Sequence, residues 1–272
     1  MQRWRRAVWL SDMVDERARF VARELLPRAA TDAYRLRDDT GTVIVRHRRD
    51  GGSRDAFVLH EVVRGGDYDL PADVVAALAD AARPLRVVDL GANVGYFTLR
   101  LLGRYPDAHV VAFEPDRSNV AVLRAALRRN GVERGVEIIE ACAATADGSV
   151  GFIDGLECES RVALDGEAAA ATVPALDVFP YLDGADLVKI DIEGSEWDLL
   201  ADPRLGDALP RVIVLEYHSA RCPAENAKRA AADRLTGLGY EVRHAQPDAA
   251  PDSGPFWGAG VIWAVSPRPR NA

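Results

Sequence analysis

The chain has 272 residues, 34 basic and 42 acidic side chains for a formal charge of −8, and 48% hydrophobic residues. That length suits one large α/β domain with a small appendage, and the apolar content supports a buried core, which excludes a disordered chain. No run approaches the roughly 18 uncharged apolar residues of a membrane span, and the acidic balance argues against a general binder of nucleic acid. The apolar stretch at 7–10 falls short of the roughly 7–15 residues of a secretory signal, so a soluble cytoplasmic protein is expected. Cys142, Cys158 and Cys222 form no C-x-x-C pair, which argues against a zinc ribbon or a disulfide framework. Charge is uneven: residues 1–54 hold 13 Arg against 8 acids, either a solvated helical face or a docking surface for an anionic partner.

In chain order, residues 4–26 read as one helix ended by Pro27. Segments 42–48 and 56–63 alternate like strands, with DGGS at 50–53 as a hairpin turn between them. A Gly-rich loop at 64–70 leads to Pro71, which opens a helix over 72–83. Strands then alternate with helices: strands at 86–90, 109–113, 136–141, 186–192 and 211–217, and helices at 91–105, 115–131, around 196–201 and at 224–238. YEVRH and GAGVIWAVS close the chain as an antiparallel pair. Apolar strands alternating with amphipathic helices imply a parallel sheet covered on both faces, with ligands outside the strands' carboxyl ends. Asp89, Glu114, Glu140, Asp191 and Glu216 sit at those ends. Segment 147–176 breaks the alternation and reads as short strands and loops over the sheet edge, a substrate-shaping lid or an inert insertion. The expected organisation is an N-terminal cap over 1–69 and a catalytic domain over 70–272.

The main functional signal is VVDLGANVGYFTL at 87–99, a strand ending in Asp89 with Gly91 and Gly95 flanking a turn into a helix. A dinucleotide fingerprint, G-x-G-x-x-G, needs a second glycine where Asn93 stands and a third where Tyr96 stands. The turn therefore suits a ligand with an adenosine and an amino-acid tail but no phosphate, such as S-adenosylmethionine, and disfavours an NAD-dependent dehydrogenase. Gly91 permits close approach of the ligand, Asp89 organises the loop or the ligand ammonium, and the helix start receives the carboxylate. Glu114, at the end of the next strand, is placed to accept both ribose hydroxyls.

At this point the chain resembles the FkbM-type S-adenosylmethionine-dependent methyltransferases. The stretches that carry the resemblance are VVDLGANVGYFTL (87–99), AFEPDRSNVAVLRAALRRNG (112–131), VKIDIEGSEWDLL (188–200), VIVLEYH (212–218) and LTGLGYEV (235–242). VVRGGDY (62–68) is similar to the family's pre-domain G-E-Y segment, with Asp67 in place of Glu. The resemblance covers about residues 60–265 and leaves 1–55 unaccounted for. It implies a Rossmann-like class I methyltransferase fold, α/β, with a seven-stranded mostly parallel sheet and an antiparallel last strand, here preceded by an N-terminal helix and β-hairpin. It implies S-adenosylmethionine as donor, S-adenosylhomocysteine as product, and donor contacts from Asp89, Gly91, Asn93, Gly95, Glu114, Asp116, Cys142 and Asp191. It also implies methylation of hydroxyls in natural products, sugars or lipid and glycan precursors.

An alkyl hydroxyl needs a base, and His218, closing VIVLEYH, is the leading candidate, since an imidazole with an ordinary pKa near 6.5 accepts protons at neutral pH. Asp191 and Glu193 share a face by the strand's period of two, and would orient a hydroxyl, hold His218 or contact the donor. With Glu216 and His218 they would also suit a divalent cation, but a hydrogen-bond network is the preferred reading and no metal is expected. Lys189 is expected on the opposite face in a structural ion pair. Tyr68 closes over donor or substrate or simply packs, Glu216 contacts substrate, Trp197 packs the short helix, and Phe256 and Trp257 form an aromatic wall for the substrate. The expected function is O-methylation of a small molecule in natural-product biosynthesis, with no nucleic-acid partner and no membrane span. A homodimer is open, as are N- or C-methylation and a silent donor-binding scaffold.

Overall fold

The computed structural model describes residues 2–26, 29–48, 53–79, 81, 83–153, 161–163, 167–244 and 259–267. Its centre is built from runs with no polar face. β3 (Arg86–Leu90), β4 (His109–Phe113), β5 (Val136–Ile139), β10 (Leu187–Ile190) and β11 (Val212–Tyr217) lie parallel, as apolar strands do when helices cover both faces. With β12 (Glu241–His244) and β13 (Gly260–Val265) they form a seven-stranded sheet, ordered β12-β13-β11-β10-β3-β4-β5. β13 runs antiparallel to both its neighbours, as expected. The order reverses between β3 and β10, so the strand ends there diverge into the crevice where open α/β sheets bind ligands.

Helices α4 (Ala72–Ala79), α5 (Tyr96–Arg104), α6 (Arg117–Asn130), α7 (Phe179–Leu182), α8 (Glu196–Ala201), α9 (Arg204–Ala208) and α10 (Ala227–Gly237) accompany the sheet. α6 has a clear start and stop: Asp116 Oδ1 accepts the Ser118 N–H at 2.8 Å, and Gly131 ends the helix at φ +69°. Among the described residues no helix is long and apolar enough to cross a membrane.

The N-terminal segment departs from its sequence reading. The single helix over 4–26 is two, α1 (Gln2–Leu10) and α2 (Arg17–Leu25), with a 3₁₀ turn at Ser11–Met13 between them. The hairpin pairs β1 (Ala30–Arg35) with β2 (Thr42–His47) through a turn that carries Asp39 at φ +60°, rather than pairing 42–48 with 56–63. Segment 56–63 is helical instead: α3 (Arg54–His60) starts under Ser53, whose Oγ accepts the Ala56 N–H at 3.1 Å, and continues as a π turn over Glu61–Gly65. This cap shares its core with the sheet, since Leu10, Phe20, Tyr34 and Val43 belong to one buried cluster with Val87, Val110, Leu99 and Leu123. Arg46 joins the two parts: its guanidinium grips Asp55 through Nε at 2.8 Å and Nη2 at 2.7 Å, and Nη2 also reaches Asn119 Oδ1 of α6 at 2.8 Å.

Segment 147–176 joins a second sheet. β6 (Cys142–Ala144), β7 (Gly148–Ile153), β8 (Arg161–Val162) and β9 (Ala171–Asp177) pair in the order β6-β9-β7-β8, beside the carboxyl end of β5.

Candidate active site

The turn after β3 is pinned from below. Gly91 and Ala92 donate their N–H groups to the Phe113 carbonyl at 3.1 and 2.9 Å. Gly91 has φ +81°, and a Cβ there would stand 1.8 Å from the Asp191 carbonyl oxygen, so the position admits no side chain. Gly95, at φ +87°, would drive a Cβ to 2.2 Å from Leu123 Cδ1 on α6. Asn93 takes the left-handed conformation asparagine tolerates, φ +51°, and donates its N–H to Glu114 Oε2 at 2.7 Å. Of the two roles open to Asp89, the geometry matches loop organisation: the side chain is fully buried, accepts the Thr98 hydroxyl at 2.6 Å, and lies 3.4 Å from Lys189 Nζ.

Two cavities flank this turn. One, of about 550 Å³, lies between the turn, the end of β4 and the second sheet. Its walls include Phe113, Cys142, Phe152 and Val162, an apolar slot suited to a flat ring, with Glu114 and Asn119 as polar partners. Glu114 also accepts the Asp116 N–H at 2.9 Å, and burial pushes its pKa up to about 7. Cys142 is a neutral thiol, its pKa raised to about 12 by burial and by the Glu114 charge. Asp116 is absent from this cavity's lining; its carboxylate caps α6.

The second cavity, of about 730 Å³, shares Gly91, Asn93, Asp191 and Glu193 with the first. Asp191 and Glu193 follow β10, Glu216 lies on β11, and His218 follows it, so the parallel pairing of β10 with β11 brings all four together. His218 Nε2 lies 3.5 Å from Glu193 Oε2 and 3.9 Å from Glu216 Oε1. Tyr68, from the cap side, donates its hydroxyl to Glu216 Oε2 at 2.5 Å and sets its ring edge-on to Phe97. Trp197 donates its indole N–H to the His218 carbonyl at 2.9 Å, so it helps fix the end of β11 besides packing α8.

Two expectations change here. Lys189 is on the same face as Asp191, as residues two apart on a strand must be; its Nζ lies 3.1 Å from Asp191 Oδ2 and donates to the Gly91 carbonyl at 2.8 Å. Burial disfavours its charge, but Asp191 and Asp89 outweigh burial and hold it protonated. His218 is not an ordinary imidazole. Burial pulls its pKa down, but the hydrogen bond to Glu196 and the charges of Glu193 and Asp191 push it up to about 10. At neutral pH the ring is an imidazolium with no lone pair to accept a proton, so it cannot serve alone as the base. Trp257, Phe256 and Cys158 lie outside the described residues.

Two residues escaped the sequence reading. Glu196, fully buried, accepts the His218 N–H at 2.8 Å and lies 3.2 Å from its Nδ1, while its other oxygen accepts the Gly194 N–H. The final Glu of D-I-E-G-S-E was its signal. Glu61 lines the second cavity from the cap, and burial, then the charges of Glu216 and Asp191, push its pKa up to about 8. The strand reading of 56–63 concealed it. Burial and Asp191 likewise raise Glu193 to about 8 and Glu216 to about 7, both opposed by His218. Asp191, Glu193 and His218 also present one atom each within 4.8 Å of one another, a spacing a hard divalent cation accepts. Yet Lys189 already lies against Asp191, and the ring of His218 is engaged by Glu196.

A seven-stranded sheet of this order, with its last strand antiparallel and a glycine turn at its switch point, defines a class I methyltransferase fold. The methyltransferase FkbM domain model matches residues 89–242, more than half of the chain, which therefore belongs to that family of S-adenosylmethionine-dependent methyltransferases. Methyltransferase 1 of Beauveria bassiana (strain ARSEF 2860) is 24% identical over 194 residues, spanning 61% of this chain and 76% of that protein. Among solved structures, M. jannaschii TYW2 in complex with AdoMet is 15% identical with a TM-score of 0.42, covering 87% of this chain and 86% of that one. Precorrin-6y C5,15-methyltransferase from Geobacter metallireducens GS-15 is 18% identical with a TM-score of 0.42, covering 72% and 86%.

Proposed function

We propose that the chain methylates a hydroxyl group of a small molecule, a natural product, sugar or lipid or glycan precursor, with the Glu193–His218 pair receiving the hydroxyl proton. The observation that carries this is the junction of the two cavities at Gly91, Asn93, Asp191 and Glu193, with His218 3.5 Å from Glu193. The donor, S-adenosylmethionine, supplies an activated methyl group. Glu114 receives the ribose hydroxyls, the Phe113, Cys142, Phe152 and Val162 slot takes the adenine, and the α5 N-terminus receives the carboxylate. The second cavity takes the acceptor, with Tyr68 and Glu216 shaping its wall.

Glu193 is the base in this scheme. With a pKa raised to about 8 it ionises before His218 loses its proton near 10, so the ionised carboxylate, a stronger base than an ordinary glutamate, accepts the proton beside the imidazolium. Asp191 positions the hydroxyl, and Glu196 positions His218. The second sheet covers the donor side as a lid, the cap over 1–69 closes the acceptor side, and the chain works in the cytoplasm.

A second reading has one observation in its favour. Glu61, Asp191, Glu193 and Glu216 place four carboxyl groups around the second cavity, hydrogen-bond acceptors and proton acceptors that suit an amine acceptor and N-methylation. Turnover of isotopically labelled donor against matched panels of alcohols and amines separates the two, with the product carbon read by NMR. Methyl ethers support O-methylation; methylamines from the amine panel alone overturn it.

A further inference from the structure

Helix α1 is cationic and aromatic around its exposed first turn, and Trp9 is exposed beyond the part of its ring that stacks on His60. Ala7 and Leu10 anchor it to the core, both buried. Arg3, Trp4, Arg5, Arg6 and Trp9 face outward, with Trp4 57% and Trp9 46% exposed. Exposed tryptophans are unusual by themselves, because an indole leaves water readily. The arginines add positive charge beside them, and unlike several others of the cap they stand apart from carboxylates. Elsewhere in the cap, Arg17 pairs with Asp12, Arg19 with Glu16, Arg23 with Asp32 and Arg35 with Asp15. Arg3, Arg5 and Arg6 have no carboxylate partner among the described residues, so three adjacent positive charges are left to solvent in a chain of net charge −8.

We propose that α1 docks this protein onto an anionic lipid surface, with Trp4 and Trp9 in the headgroup layer and Arg3, Arg5 and Arg6 against lipid phosphates. Tryptophan prefers that layer because its ring is apolar and its N–H is polar, and arginines beside it add attraction to anionic headgroups. The position of α1 gives docking a use. Trp9 stacks on His60 with ring centroids 3.7 Å apart, and Val58 and Glu61, on either side of His60, line the second cavity. A membrane against α1 therefore lies beside the cavity that the proposed function gives to the acceptor, a place suited to an acceptor with a lipid tail. The docking itself rests on the surface alone and stands whether or not the acceptor assignment does.

The test is cosedimentation of the full-length chain with phosphatidylcholine vesicles, with and without phosphatidylglycerol. Binding is expected only with phosphatidylglycerol, and it should weaken as salt rises. With about 1 kcal/mol per arginine near an anionic surface, Arg3→Gln/Arg5→Gln/Arg6→Gln should lower partitioning about a hundredfold. Trp4→Ala removes an exposed side chain, so the fold should be retained; it should weaken binding and reduce the quenching of tryptophan fluorescence by brominated lipid. That single variant decides the matter if the triple variant fails to fold. Equal binding to both vesicle types, no binding at low salt, or unchanged binding and quenching in Trp4→Ala overturns the proposal. So does a face that serves another partner: a dimer lost in Trp4→Ala, or an RNA oligonucleotide bound more tightly than the vesicles.

Discussion

Replacing Glu196 with Gln tests the electrostatics of the site without an acceptor. The change keeps the shape of a fully buried side chain and removes its charge. In the wild type, Glu196 accepts the His218 backbone N–H at 2.8 Å and faces Nδ1 at 3.2 Å; that hydrogen bond is the largest influence holding the imidazolium against burial. A hydrogen bond to a charged group contributes about 1.5–3 kcal/mol, and 1.36 kcal/mol corresponds to about one pH unit. The His218 titration, at about 10 in the wild type, should therefore fall by about one to two pH units in Glu196→Gln. Histidine-selective NMR of labelled protein, with the resonance assigned through His218→Ala, reads this directly. A His218 midpoint near 6.5 in the wild type, or one unmoved by Glu196→Gln, would refute the imidazolium and return the ring to the role of free base.

Other consequences are independent of that result. Glu114→Ala should weaken S-adenosylmethionine binding at least tenfold by calorimetry, since it removes hydrogen-bond acceptors for two hydroxyls, and NAD should not compete. Folding stability should fall as pH rises. Glu61, Glu193, Glu216 and His218 all have folded pKa values above their ordinary ones, so the folded state holds more protons than the unfolded state. This contribution is fully present below pH 4.5, wanes as the acids ionise up to about 8, and wanes further as pH passes from 6.5 through the His218 value of about 10; a melting temperature rising from pH 5 to 9 would contradict it. Chelator should leave turnover unchanged, because Lys189 and His218 already balance charge at Asp191 and Glu193. Loss of turnover with chelator and recovery with Mg²⁺ would instead assign Asp191, Glu193 and His218 to a metal.

The sheet was legible because its strands are short unbroken apolar runs, and β3, β4, β10 and β11 fall within two residues of where VVDL, VVAF, LVKI and VIVL place them. The glycine turn was legible through residue types the backbone requires, positive φ at Gly91 and Gly95. The cap was not. ATDAYR is mixed in polarity, with only Tyr34 of β1 fully buried, and its strand identity comes from pairing with β2 and from the α2 side chains beneath it. Ser53 was read as part of a turn when it caps α3, and that error hid Glu61. Within the site, strand period alone puts Lys189 with Asp191, so its misplacement was an error of parity. The charge state of His218 was beyond local pattern, because it is set by Glu196 from one helix and by Asp191 and Glu193 from a neighbouring strand end.

The proton transfer is tested most directly by single-turnover methyl transfer from S-adenosylmethionine to an authentic hydroxyl acceptor, followed against pH in the wild type and in Glu193→Gln. If the Glu193–His218 pair receives the proton, the wild-type rate rises as Glu193 ionises through about 8 and falls as His218 loses its proton near 10. Glu193→Gln should then lose about 10²–10⁴-fold in rate, with donor affinity held within a few-fold. A Glu193→Gln enzyme with near-normal turnover, or a wild-type rate flat from pH 6 to 10, would contradict the assignment.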